Sequence, residues 1–221
     1  MKNIRAVIFD LDGTLLDTSE GVIRSLKYMI AKLGYDPIPE EMCRTFIGPP
    51  IHQRMKEVYG ISDAEAEVAM HTFRNHYLEK DIFYASHYNG MKELLQSLRE
   101  EGYLLGVCTY KREDQAQVLL EEKGLAEHFH VIHGQDREGK LSKAEVLQLT
   151  MKDLGVMPAE TVMVGDAYTD AVGAEGAGAH FLGVTFGFGF DTDEDVQAFR
   201  NIGVAHEPRE ISKVLEMVTG S

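Results

Sequence analysis

Two pairs of aspartates follow apolar segments of this sequence and have the residue type and spacing of a cation site. In VIFDLDGTLLDT, residues 7–18, Asp10 and Asp12 follow an apolar run, and in VMVGDAYTD Asp166 and Asp170 follow another. A charge at the end of a buried strand is unfavourable unless another group pairs with it. These carboxylates therefore either face water as capping groups or surround a cation.

The local geometry of both pairs favours the cation. Residues two apart in an extended chain point the same way, so we expect Asp10 and Asp12 to share a face while Leu11 points toward the core. Asp166 and Asp170 are one helical turn apart and are expected to face together. Carboxylates that converge from two strand ends favour a hard divalent cation, and oxygen ligands with room for water suit Mg²⁺.

Two further segments offer groups that bind an anion. The apolar run 103–108 is followed by Thr109, Tyr110 and Lys111. We expect their hydroxyl and backbone N–H groups, at the start of the following helix, to hold the oxygens of an anion. Lys143 is predicted to begin another helix, where its point charge would act on a phosphoryl group and on the carboxylates, although Lys140 is a rival for this role.

Short apolar runs that alternate with amphipathic helix patterns predict the elements that position these groups. The predicted strands are residues 4–10, 103–108, 128–132, 161–164, 180–185 and, more weakly, 202–205. The alternation predicts an α/β fold, a Rossmann-like parallel sheet with helices on both faces. Because ligands of such sheets bind at the carboxyl ends of the strands, the acidic pairs, Thr109 and Lys143 are expected at one edge.

One segment interrupts this alternation. Residues 18–83 contain several helix patterns, the first from Ser19 to Gly34, and no convincing strand. The simplest interpretation is an insert after the first strand. We therefore predict an α/β core domain of residues 1–17 and 85–221 and an inserted all-α cap domain of residues 18–84.

Composition restricts the partners and the compartment. The 221 residues carry a formal net charge of −14, which disfavours nucleic acid and anionic membranes as partners. Cys43 and Cys108 form no C-x-x-C pair, so neither a disulfide framework nor a zinc site is predicted. No signal peptide or membrane-spanning run is evident. We expect a cytoplasmic protein that is a monomer or a homodimer.

The four segments, in this order, resemble the motifs of the haloacid dehalogenase (HAD) superfamily of aspartate-nucleophile phosphohydrolases. DLDGT resembles the first motif, Thr109 the second, Lys143 the third and GDAYTD the fourth. The likeness extends over nearly the whole chain, and the helical insert resembles the C1 cap of the family. FIGPP, residues 46–50, and GVTFGFG resemble segments of phosphoglycolate-phosphatase-like members.

The resemblance implies a Mg²⁺-dependent phosphatase that hydrolyses small phosphate monoesters, with phosphoglycolate as the reference substrate. Asp10 would attack phosphorus to form an aspartyl-phosphate, and Asp12 would protonate the leaving oxygen and then accept a proton from water. The metal ligands implied are Asp10, Asp12 through its backbone carbonyl, and Asp166, with Asp170 orienting the ligands or the metal's waters.

The resemblance also implies the groups that contact the substrate. Thr109 and Lys143 would bind the transferring oxygens. The other substrate-binding residues that the resemblance implies are Tyr110, Lys111, Gly48, Pro49 and Pro50. Many relatives have asparagine at the place of Tyr110, and a backbone contact survives that difference. Four cap residues could also meet an anionic leaving group: Arg44, His52, Arg54 and Lys56.

Three other functions are weighed against this one. A sugar phosphomutase of the β-phosphoglucomutase type would use the same fold and the same aspartyl-phosphate. A haloacid dehalogenase is disfavoured, because Asp12 and the fourth motif serve phosphate and magnesium chemistry. A non-catalytic phosphate-binding or signalling module, such as a receiver domain, is disfavoured by the cap-sized insert. The sequence leaves open which phosphate ester is the substrate.

Overall fold

The chain divides into two compact units, as seen in a computed structural model that describes residues 3–47, 51–136 and 140–220. The larger unit combines Met1–Asp17 with His87–Ser221, and the smaller unit is Thr18–Ser86. The larger unit carries the four predicted motifs, from the DLDGT segment to GDAYTD.

The larger unit is built on a parallel β-sheet. In chain order the strands are β1 (Ala6–Phe9), β2 (Leu16–Asp17), β3 (Ser86–His87), β4 (Leu104–Arg112), β5 (Val131–Gln135), β6 (Thr161–Gly165), β7 (His180–Val184) and β8 (Val204–Ala205). Within the described residues, six of them form one sheet in the order β5-β4-β1-β6-β7-β8, and every pairing in it is parallel. Strands β2 and β3 form a separate two-stranded sheet. The predicted α/β fold with a parallel sheet is confirmed.

Helices cover this sheet and form most of the smaller unit. They are α1 (Ser19–Leu33), α2 (Glu40–Arg44), α3 (Ile51–Tyr59), α4 (Asp63–His76), α5 (Met91–Glu100), α6 (Glu113–Glu122), α7 (Lys143–Leu154), α8 (Tyr168–Ala177), α9 (Asp193–Gln197) and α10 (Pro208–Thr219). None within the described part of the chain is both long and apolar enough to cross a lipid bilayer.

Helix α7 shows how local sequence builds the core beside the site. Ser142 and Glu145 form a reciprocal capping box, which fixes the helix start at Lys143. Val146, Leu147 and, one helical turn after Leu147, Met151 then bury against the sheet. The capping box before Lys143 and the apolar contacts after it therefore hold the first turn of α7 in place.

The predicted strands differ from the observed ones at their ends, and two of these differences are informative. The segment 128–132 was expected to be a strand, but Ala126–His128 is a 3₁₀ helix and β5 begins only at Val131. Strand β4 extends beyond the predicted 103–108 to Arg112, because its last residues still pair with β5. Pairing with a distant strand, rather than apolar content, sets these boundaries.

Helices form the smaller unit up to Asp81, and among its described residues this aspartate is the one buried carboxylate. Asp81 accepts hydrogen bonds from Ser25 Oγ at 2.7 Å and from Arg24 Nε at 3.1 Å. Its Oδ2 also lies 3.3 Å from His76 Nε2. Asp81 ends a single π-helical turn, Tyr77–Asp81, so these contacts tie that turn to α1. That this unit is a cap stays a prediction.

His133 on β5 joins two helices of the larger unit and makes stability depend on pH. Its Nδ1 lies 2.9 Å from Glu113 of α6 and its Nε2 3.0 Å from Asp153 of α7. Burial lowers the pKa of His133, but hydrogen bonds and the charges of Glu113 and Asp153 outweigh burial and raise it. The pairing therefore stabilises the fold fully below the unfolded pKa of about 6.5 and is lost as pH rises through the folded pKa.

We expect His133→Gln to lower the free energy of unfolding by about 1 kcal/mol more at pH 6 than at pH 9, because only the protonated ring pairs with both carboxylates. Urea unfolding of the variant and the wild type at both pH values measures this difference. An equal loss at both values would show that the charge of the ring plays no part.

Candidate active site

Three of the four predicted carboxylates meet at the carboxyl edge of the sheet. Asp10 and Asp166 directly follow the neighbouring strands β1 and β6, and Asp10 N–H donates to Val164 O at 2.9 Å. Asp170 comes from the first turn of α8. One oxygen from each carboxylate lies within 4.8 Å of the other two, and all three residues are buried. The Asp12 side chain is not part of this cluster.

Lys143 supplies the positive charge of the cluster. Its Nζ lies 2.7 Å from Asp10 Oδ1 and 2.7 Å from Asp170 Oδ1, and its side chain is 3% exposed. A Cβ on Gly173 of α8 would lie 2.7 Å from Lys143 Cγ, so a glycine is needed there for the lysine to fit. The rival, Lys140, is exposed.

Burial shifts the protonation of these groups. It raises the pKa of Asp10 and of Asp166 to about 6, and it also raises the pKa of Asp170. Burial by itself lowers the pKa of Lys143, but the charges of Asp10 and Asp170 outweigh it and hold that pKa well above its usual value. One ammonium group does not balance three carboxylates. A divalent cation would offset this excess negative charge, so the donor set fits Mg²⁺.

Asp166 is held by the hydroxyl of Thr14, which belongs to the DLDGT segment, and by two loop N–H groups that sequence reasoning missed. Thr14 Oγ1 donates to Asp166 Oδ1 at 3.1 Å, and the backbone N–H groups of Phe188 and Gly189 donate to Oδ2 at 2.8 and 3.2 Å. For the two loop N–H groups, the only sequence signal was that GVTFGFG resembles a loop of the family. These bonds orient the carboxylate and favour its ionised form.

Two glycines make this close approach of backbone to carboxylate possible. Gly13 has a φ of 88°, and a Cβ there would lie 2.3 Å from Asp166 Oδ2. A Cβ on Gly187 would lie 2.3 Å from the Gly13 carbonyl oxygen. The turn after Asp10 and the loop after β7 therefore close on Asp166 only because these positions lack side chains.

The residues of the second motif lie on a strand rather than at a helix start, which corrects the expectation. Helix α6 begins at Glu113, beyond Thr109, Tyr110 and Lys111. Thr109 is buried and its Oγ1 accepts the Lys111 N–H at 3.1 Å. The Tyr110 hydroxyl accepts the Lys143 N–H at 3.0 Å, and Lys111 Nζ donates to Asp12 Oδ1 at 2.9 Å.

Tyr88 is a further polar group near the site, and no sequence motif pointed to it. Its ring packs edge to face on Phe186, with centroids 4.8 Å apart. Burial raises the pKa of Tyr88, and so do the negative charges of Asp17, Asp166 and Asp12. Its hydroxyl is therefore protonated at neutral pH and available as a hydrogen-bond donor.

The predicted cap contacts lie outside the larger unit. Gly48, Pro49 and Pro50 are outside the described residues. Arg44 is exposed at the end of α2. The other three candidates have partners inside the smaller unit, as follows. Lys56 Nζ donates to Asp63 at 2.6 Å, His52 Nε2 lies 3.7 Å from the same carboxylate, and Arg54 donates to Thr45 at 2.6 Å and pairs with Glu57.

Comparison with known proteins gives consistent matches over most of the chain. The family model described as haloacid dehalogenase-like hydrolase matches residues 7–184. The chain is 30% identical over 211 residues to a 5'-nucleotidase of Pseudomonas aeruginosa, covering 95% of each protein. It is 31% identical over 199 residues to a phosphoglycolate phosphatase of Mesorhizobium japonicum, covering 87% of this chain and 86% of that protein.

Solved structures agree with the family match. A haloacid dehalogenase-like family hydrolase from Streptococcus pneumoniae superposes with a TM-score of 0.89 at 28% identity, covering 97% of this chain and all (100%) of that one. The resemblance inferred from the DLDGT and GDAYTD motifs is thereby confirmed. The chain belongs to the haloacid dehalogenase-like hydrolase family.

Proposed function

We propose that this protein hydrolyses small phosphate monoesters with Mg²⁺ as cofactor, through an aspartyl-phosphate formed on Asp10. The observation that carries the proposal is the cluster of Asp10, Asp166 and Asp170 around Lys143 at the edge of the sheet. Such a cluster is unfavourable for stability, and it suits a reaction that brings together a cation and a phosphate group.

Asp10, Asp166 and the backbone carbonyl of Asp12 would hold the Mg²⁺ ion. When bound, the ion supplies positive charge that lets an anionic nucleophile approach an anionic phosphate. Asp170 would act on Lys143 instead, because it lies 2.7 Å from Nζ and also accepts the Ala167 N–H at 3.1 Å. These contacts support a positioning role for Asp170.

The side chains divide the reaction between them. A carboxylate oxygen of Asp10 forms a bond to phosphorus while the bond to the ester oxygen breaks. Asp12 gives its proton to that leaving oxygen and later accepts one from the water that releases phosphate. Lys143 and Thr109 would bind the transferring oxygens, and the charge of Lys143 would counter the negative charge that accumulates in the transition state.

Relatives support a phosphate ester as substrate without agreeing on which one. They include proteins named 5'-nucleotidase, phosphoglycolate phosphatase and N-acetylmuramic acid 6-phosphate phosphatase. Phosphoglycolate is our reference substrate, resting on the FIGPP and GVTFGFG segments. We further propose that the smaller unit is a cap that selects the ester.

Metal removal tests the proposal. We expect the purified chain to release inorganic phosphate from a panel of phosphate monoesters with Mg²⁺, and EDTA to reduce the rate by about 100-fold or more. Excess Mg²⁺ should restore the rate, and a phosphate assay on the panel measures it. A mutase would instead produce isomerised sugar phosphate with little free phosphate, and a binding module would give neither product.

A further inference from the structure

The end of β4 has an irregular pairing that turns its side chains toward the site. Cys108 pairs with His133, but the next pair is Arg112 with Gln135. Three residues of β4 therefore lie opposite the single residue Gly134 of β5. An excess of residues on one strand is a bulge, which bends the strand and redirects side chains.

Gly134 makes this bulge possible. A Cβ at that position would lie 2.3 Å from the Lys111 carbonyl oxygen and 2.8 Å from Glu113 N. The backbone of the bulge is held from within as well, because Thr109 Oγ1 accepts the Lys111 N–H at 3.1 Å. The backbone of Lys111 is therefore fixed at its carbonyl group by the close approach of Gly134 and at its N–H group by Thr109.

The side chain of Lys111 ends on Asp12. Its Nζ donates to Asp12 Oδ1 at 2.9 Å, and the lysine side chain is only 9% exposed. A buried ammonium group needs such a partner to offset its lost hydration. The Asp12 side chain, by contrast, is 30% exposed, so its carboxylate is bound on one side and accessible on the other.

We propose that Lys111 is a positioning residue for Asp12, holding the carboxylate by Oδ1 so that Oδ2 accepts a proton from the water that hydrolyses the aspartyl-phosphate. The inference rests on the proposed function. It differs from the expectation that Lys111 binds the substrate, since its ammonium group is directed to Asp12.

The step assigned to this pair is the second half of the reaction. The water oxygen forms a bond to phosphorus, and the bond between phosphorus and the Asp10 carboxylate oxygen breaks. The electron pair of that bond returns to Asp10, the water proton moves to Asp12 Oδ2, and inorganic phosphate leaves. A carboxylate that is misplaced by a fraction of an ångström would accept the proton more slowly.

Lys111→Met with p-nitrophenyl phosphate as substrate tests the inference, because this activated leaving group needs little help from an acid. We expect kcat to fall about 10- to 100-fold with KM unchanged or lower, and a burst of p-nitrophenol to precede the slow phase. Acid quenching should show more phosphoenzyme in the variant than in the wild type. Lys111→Arg, which keeps a donor, should recover part of the rate.

Two further variants make the result specific. In an Asp12→Asn background, Lys111→Met should have no additional effect, since the lysine acts only through Asp12. Lys152→Met, which removes an exposed lysine of α7, is the control for loss of one positive charge.

Three results would overturn the inference. A raised KM with unchanged kcat and no burst would assign Lys111 to substrate binding. Additive losses in the double variant would mean that it acts elsewhere, and full activity of Lys111→Met would mean that it has no role. A wild-type chain that releases no p-nitrophenol with Mg²⁺ would instead overturn the proposed function, and the inference with it.

Discussion

Asp10→Asn is expected to reduce phosphate release by about 1,000-fold or more, because an amide is a poor nucleophile and cannot form the acyl-phosphate. The substitution nearly keeps the shape of the side chain. Acid-quenched protein should contain no phosphoenzyme. Phosphate release with Mg²⁺ measures the effect, and Asp36→Asn, at an exposed position of the smaller unit, is the matched control.

The same variant is expected to be more stable than the wild type without metal. Burial raises the pKa of Asp10 from 3.8 to about 6. An acid with a raised pKa destabilises the fold once it ionises, so the penalty is absent below about pH 4 and complete above the folded pKa. At about 1.4 kcal/mol per unit, the gain at pH 8 is on the order of 3 kcal/mol.

Urea unfolding at pH 4 and pH 8 in EDTA measures this gain. A variant that is inactive and more stable at pH 8 would show that the Asp10 carboxylate is retained for function at the expense of stability. Wild-type activity of Asp10→Asn would rule out Asp10 as the nucleophile. A stability loss at pH 8 would mean that the charge of Asp10 is well compensated without metal.

Lys143→Met is expected to have the largest effect on stability. It removes the ammonium group between Asp10 and Asp170 and leaves buried carboxylates without a protein cation. Breaking a buried ion pair in this way costs about 3–5 kcal/mol. We expect that loss at pH 8 in EDTA, together with loss of phosphate release.

The loss should shrink in acid. In the wild type, burial raises the pKa of Asp10 to about 6, and the charge of Lys143 limits that rise. Without Lys143, the carboxyls of Asp10 and Asp170 both become easier to protonate. In the variant their repulsion is therefore relieved as pH falls through pKa values that lie above the wild-type value of about 6, and it returns as pH rises. Urea unfolding at pH 5 and pH 8 measures the difference.

A second substitution separates charge from packing. In Lys143→Met with Asp10→Asn, stability at pH 8 should partly recover while activity stays absent, since one of the unpaired charges is gone. Lys152→Met controls for the loss of an exposed lysine. Unchanged stability of Lys143→Met at pH 8 would contradict the view that this lysine balances the cluster.

The sequence by itself determined the fold class, the family and the principal carboxylates. Asp10 and Asp166 each follow an apolar strand, and parallel strands place their carboxyl ends at one edge, so local patterns were enough to bring them together. The DLDGT motif and the GDAYTD motif are each a run of consecutive residues. Features that reside in a few neighbouring residues can be read without knowing the rest of the fold.

Only the tertiary structure decided how these groups are held. The sequence favoured Lys143 over its rival Lys140, and packing showed that Lys143 is the buried one. The ion pair between Lys111 and Asp12 joins residues 99 positions apart, and it depends on a bulge that Gly134 of another strand permits. The same holds for the loop N–H groups on Asp166. Contacts of this kind arise from strand register and backbone approach, which no local pattern encodes.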